Sequence, residues 1–212
     1  MNRYKKKEQI ERIDSWIVAL FLAESSVCMS LSAFISIPYI SVVLITGLLL
    51  VVVVTHRGRL KYDSGCVAIY ILFFVILLIS ILFNGIKNVQ KYFLYFIVFG
   101  ITSVILVSIK FSLELVFLDI IKSYFVVILI YFLKSRALFL GSSTYWSSQM
   151  GVAYAYVIPI LFGFAYVYLN KKQFVEKSKI YIILAIFDIV ASCYIMFFDC
   201  GTRGAMISIV IG

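Results

Sequence analysis

Apolar residues fill this chain in long uninterrupted blocks, and polar residues gather in the short stretches between them. The first block runs from Trp16 to Val54 and contains one charge, Glu24. As one helix it would extend about 58 Å, roughly twice the thickness of a bilayer core, so it has to fold back on itself. The "ISIPYIS" stretch around Pro38 supplies the reversal, which predicts helices over about 16 to 34 and 38 to 54. Further spans are predicted from Cys66 to Phe83 and from Tyr92 to Ile109. In "KFSLELVFLDIIKSYFVVILIYFLKSR" the charges of Glu114, Asp119 and Lys122 precede a purely apolar stretch, so an interfacial start should run into a fifth span at about 117 to 133. A sixth span, Gly151 to Leu169, holds Pro159 and is expected to kink; a seventh runs from Ile180 to Phe198 around Asp188. An eighth starts near Ala205. An isolated strand would strand its backbone groups in lipid, so each span is expected to be helical. The expected fold is an all-α polytopic membrane bundle in a single domain: residues 1–15 a basic N-terminal segment, 16–198 seven complete spans, and 199–212 an outer corner opening the eighth, with further chain expected beyond it.

Composition supports the membrane reading. Hydrophobic residues make up 64% of the chain and charged residues 14%, and mean hydropathy is +1.09. A soluble globule of 212 residues cannot hide so much apolar surface. The net charge of +9 does not point to nucleic acid, because the basic residues fall in short groups between apolar runs. They orient the chain instead. With the N-terminus cytoplasmic, 14 of the 19 Lys and Arg lie on the inner side. "MNRYKKKEQIERID" leads into a full-length span, so the first helix is expected to be its own insertion signal. Cys28, Cys66, Cys193 and Cys200 sit in or beside apolar runs without a C-x-x-C pair and read as small hydrophobes, with no metal ligation implied.

The chemistry-bearing stretch is "FFDCGTRGAMISIVIG", where an apolar run breaks at Asp199, shows a Thr202-Arg203-Gly204 corner and resumes. It follows an outer Arg136 with a glycine-containing loop ("KSRALFLGSSTYWSSQ"), a span, the basic inner loop "NKKQFVEKSK" and another span. This order, ending in a small-residue-Arg-Gly-Ala corner, resembles the bacterial O-antigen ligase and polymerase family. The resemblance covers most of the chain loosely and residues 199–212 best. It implies a multi-pass protein of the bacterial cytoplasmic membrane. Such a protein acts at the outer face on polyprenyl-diphosphate-linked oligosaccharides, polymerising repeat units or transferring a finished glycan, and other polysaccharide-assembly membrane proteins are expected partners. No cofactor is implied. The family also implies an outer histidine as general base, in a loop beyond Gly212, so this chain alone is expected to have little transferase activity.

An arginine suits that task, because its rigid fork grips phosphate at two oxygens without losing charge. A helix starting near Ala205 would add backbone donors and a positive dipole end, with Thr202 as cap and Gly204 allowing close approach. Arg203 and Arg136 are therefore the candidate catalytic residues, and Thr202, Gly204, Tyr145 and Trp146 the candidate substrate contacts. Plainer readings stand beside these: both arginines as interfacial anchors, and Tyr145 and Trp146 as members of an aromatic belt. Glu24 and Asp188 lie deep in spans, where ionisable groups are functional suspects or are hydrogen-bonded within the bundle, Glu24 to Ser25 or Ser26. They support a rival class, a small proton-coupled transporter, and the absent base supports a third, a noncatalytic scaffold. His56, in the inner basic loop, reads as a solvated residue.

Overall fold

The computed structural model describes residues 3–32, 39–58, 60, 62–84, 90–135, 151–170 and 176–200. Every regular element among them is helical: α1 (Arg3–Leu22), α2 (Glu24–Ser32), α3 (Ile40–Thr55), α4 (Ser64–Asn84), α5 (Gln90–Ser108), α6 (Leu113–Ile130), α7 (Val157–Asn170) and α8 (Glu176–Tyr194). Wide π turns extend α6 over Tyr131–Ser135 and α8 over Ile195–Cys200. Four helical stretches are long and apolar enough to cross a membrane: Ser64–Phe83, Leu113–Leu133, Gly151–Asn170 and Lys179–Cys200. A fifth joins them if Lys7–Leu22 and Glu24–Leu31, bent by 70°, count as one broken span. The protein is thus an all-helical, multi-pass membrane protein. Ile40–Thr55 and Phe96–Ser108 are apolar but shorter, and the 16 residues of α3 rise only about 24 Å.

The first apolar run departs from its expected course. Helix begins in the basic segment at Arg3, because the Lys, Glu, Gln and Arg there are strong helix formers. It breaks at Ala23, ahead of Glu24, whose carboxylate falls in the favourable first turn of α2. The reversal around Pro38 lies outside the described residues. Tyr39, just after it, has φ 56° and ψ 34°, left-handed for a bulky residue, and α3 follows directly. The interfacial start expected before the fifth span is absorbed into one continuous helix from Leu113.

The chain forms two compact units. The first comprises Met1–Ile17 and Tyr39–Phe111, and the second Val18–Pro38 and Ser112–Gly212. In the first, α5 packs on both α3 and α4. Tyr70 stacks on Phe96 with centroids 5.2 Å apart, and Gly100 leaves the room: a β-carbon there would collide with the Tyr70 ring. The rest of α4 is apolar and bare, Leu82 and Phe83 being 83% and 86% exposed, a surface that lipid covers and water would not tolerate.

In the second unit α6, α7 and α8 pack on one another and α2 lies against α6. Ring contacts set the directions. Phe125 meets Phe187 and Phe132 meets Tyr194, so α6 and α8 run parallel. Phe117 meets Phe162 while Tyr124 meets Tyr156, so α7 runs against α6. At the α7–α8 crossing a β-carbon on Gly163 would lie 2.8 Å from Ile189 Cγ1, so the absent side chain is what lets the helices close.

Candidate functional site

The interior of the second unit buries several polar residues, Glu24, Ser26, Ser30, Asn170, Asp188 and Ser192. One turn residue, Tyr156, separates helical residues 151–155 from α7 within the Gly151–Asn170 span. Pro159 has no N–H to offer the carbonyl of Ala155 four residues back. That carbonyl accepts instead from Tyr124 Oη of α6, at 2.8 Å, and Ser26 Oγ of α2 donates to Tyr124 Oη at 3.0 Å. An orphaned carbonyl in lipid costs several kcal/mol by the usual estimate of about 2 to 7, and the Tyr124 hydroxyl, itself accepting from Ser26, prevents it. Tyr124, Tyr156 and Tyr131 then follow one another edge to face, with centroids 6.2 and 5.7 Å apart. At the far end of this line Tyr131 Oη donates to Asp199 Oδ2 at 3.2 Å, tying the end of α6 to the end of α8.

The intramembrane carboxylates are differently placed. Both oxygens of Asp188, which has no exposed surface, lack a hydrogen-bond partner among the described residues, as do Ser192 Oγ one turn on and Glu24 Oε1. Ser26, two residues from Glu24, donates its hydroxyl to Tyr124 instead. Lys122 is paired along its own helix with Asp119 at 3.7 Å and sits 5.2 Å from the centre of the Tyr181 ring.

Arg136, Tyr145, Trp146, Thr202, Arg203 and Gly204 all lie outside the described residues. Two described residues that precede them in the chain, Tyr131 and Asp199, are brought together by the hydrogen bond just given.

His56 is not the solvated loop residue expected. It closes α3, its Nε2 lies 3.0 Å from both carboxylate oxygens of Asp14, and the two side chains are 21% and 1% exposed. Asp14 is 42 positions away, on α1, and no local pattern in the sequence joins the two. None of the four cysteines forms a disulfide; Cys28 and Cys200 are buried and the others partly so. No protein-family model, curated protein or solved structure matches the chain.

Proposed function

We propose that the protein handles polyprenyl-diphosphate-linked oligosaccharides at the outer face of the bacterial cytoplasmic membrane, as a repeat-unit polymerase or glycan ligase of surface-polysaccharide assembly. In this reading Arg203 and Arg136 grip the diphosphate, Thr202 and Gly204 shape the corner, and Tyr145 and Trp146 face the sugars. The supporting observation is the Tyr131–Asp199 hydrogen bond. Arg136 follows Tyr131 by five residues and Arg203 follows Asp199 by four, so both arginines hang on short tethers from one fastened pair. The parallel course of α6 and α8 adds support, because it gives the two helices' C-terminal ends a common side. Two guanidinium forks there suit a diphosphate leaving group, whose developing charge they would stabilise.

The reading carries a finer topology: seven spans with the N-terminus inside, so that the ends of α6 and α8 face outward. A cysteine placed at Ser143 should then react with an impermeant reagent added outside, and one at Gln173 should not. The function itself is tested by binding of a polyprenyl-diphosphate-linked oligosaccharide to the chain in lipid vesicles. Arg203→Lys keeps the charge and loses the fork, and should weaken binding about tenfold, the equivalent of one charged hydrogen bond. Equal affinity in wild type and variant would reduce Arg203 to an anchor and overturn the proposal.

Glu24 Oε1 and both oxygens of Asp188, which lack a hydrogen-bond partner among the described residues, favour a second reading, proton-coupled transport. It requires proton flux into vesicles holding the purified protein and loss of that flux in Asp188→Asn.

A further inference from the structure

We propose that the first unit carries a binding cleft for the phosphate of a membrane phospholipid headgroup, formed by Lys7, Lys110 and the ring of His56 that Asp14 holds in place. The cleft measures about 420 Å³, the size of a small-ligand pocket. Its lining joins these residues to an apolar wall of Ile10, Leu60 and Ile109. The inference concerns neither the arginine corner nor the oligosaccharide reading.

Position supports a lipid. Lys110 follows the end of α5, and His56 and Leu60 follow the end of α3. Both helices are mostly apolar over the turns that lead to these ends, so the cleft opens where apolar helices give way to polar chain, the depth at which lipid phosphates lie.

Charge supports a phosphate. Neither Lys7 nor Lys110 forms an ion pair among the described residues, which leaves two ammonium groups on the lining for an anion. Asp14 is turned toward the ring, with His56 Nε2 3.0 Å from both of its oxygens, and forms no ion pair with either lysine. That contact also fixes the ring without help from a ligand, and a preformed site binds at lower entropic cost.

Glu11 decides between sources of phosphate. It lines the cleft too, one helical turn from Lys7 and without an ion pair among the described residues. A bare phosphate ion is repelled by this carboxylate. A headgroup that carries a hydroxyl or ammonium beside its phosphate finds an acceptor in it, and the lipid's apolar portion finds Ile10, Leu60 and Ile109.

The test uses the whole chain, delipidated in a neutral detergent, titrated separately with phosphatidylglycerol, diacylglycerol and inorganic phosphate. Phosphatidylglycerol should bind saturably and at least about tenfold more tightly than diacylglycerol, which has the same apolar part and no phosphate. Lys7→Gln with Lys110→Gln should lose about tenfold or more of that affinity at unchanged helicity by circular dichroism. Arg57→Gln with Lys179→Gln removes the same charge from residues that do not line the cleft and should bind as wild type. The proposal is overturned if diacylglycerol binds as well as phosphatidylglycerol, or if the two double variants lose affinity equally. Inorganic phosphate binding as tightly as the lipid would also overturn it, by showing a site for the free ion.

Discussion

Asp14 in the first unit and Asp188 in the second are both carboxylates with almost no exposed surface, yet their surroundings differ. Asp14 meets the ring of His56 at 3.0 Å, whereas neither oxygen of Asp188 meets a hydrogen-bond partner among the described residues. The first arrangement is self-contained: the carboxylate has a hydrogen-bonding partner, and the contact fastens α1 to the end of α3. The second leaves a strongly polar group facing Ser192 and apolar helix surfaces, a cost the fold bears without visible return in packing. A paired buried carboxylate is explained by architecture, and an unpartnered one points to function. The hydroxyls around Ala155 show that the second unit can satisfy a polar group where the fold requires it.

The comparison is broken most directly by removing the counter-group. His56→Ala strands the Asp14 carboxylate and should cost about 3 kcal/mol, toward the low end for a buried pair because the ring is 21% exposed. Thermal denaturation in detergent measures it. Replacing both partners by leucine should recover most of the loss, and equal damage from the single and double changes would mean that the pair does more than neutralise itself.

A smaller effect is expected at the satisfied polar group of the second unit. Tyr124→Phe takes the hydroxyl from the Ala155 carbonyl and should cost about 2 kcal/mol. In a Pro159→Ala background the restored N–H of residue 159 serves that carbonyl, and the cost should fall below about 1 kcal/mol. Purely additive effects would show that the proline is not the reason for the tyrosine.

Asp188→Val should go the other way. It replaces an unpartnered carboxylate by a small apolar group and is expected to raise stability by about 1 kcal/mol. Loss of stability would reveal a partner and bring Asp188 into line with Asp14.

The smallest effect belongs to an exposed carboxylate. Asp63 Oδ1 accepts from the backbone N–H of Cys66 at 2.9 Å at the start of α4, and this hydrogen bond holds its carboxyl below the usual carboxylate range. A value depressed in the folded state means stabilisation that is present above the ordinary carboxylate range and is lost as pH falls through the folded value. Protection of the Cys66 amide, measured against the intrinsic exchange rate at each pH, should therefore fall on acidification, and Asp63→Ala should lower it at neutral pH and abolish this dependence.

Much of the fold was legible in the sequence because lipid imposes few solutions. An apolar run of about 20 residues has to be a helix, and the ends predicted near residues 54, 83 and 109 fall within one residue of those of α3, α4 and α5. The break at Ala23 was not legible: "LFLAESSV" is apolar enough to continue, and nothing in its pattern separates a straight helix from a bent pair. The candidate site was legible only as residue types. An arginine beside glycine at a helix start suggests phosphate whatever surrounds it, and a carboxylate deep in an apolar run suggests function. Their partners cannot be read in this way, since Tyr131 and Asp199 are 68 positions apart and Ser26 and Tyr124 are 98 apart.

By itself, then, the sequence determined that this chain is a helical membrane protein, where most helices begin and end, and which ionisable groups are unusual, because the cost of exposing backbone and charge to lipid acts residue by residue. Only the tertiary structure decided that His56 belongs to Asp14, that the carbonyl freed by Pro159 belongs to Tyr124, and that Asp188 has no comparable claimant among the described residues. Those outcomes depend on which helix faces meet, and that is fixed by side-chain fit such as the missing β-carbons of Gly100 and Gly163, a property of pairs of surfaces that no single stretch of sequence contains.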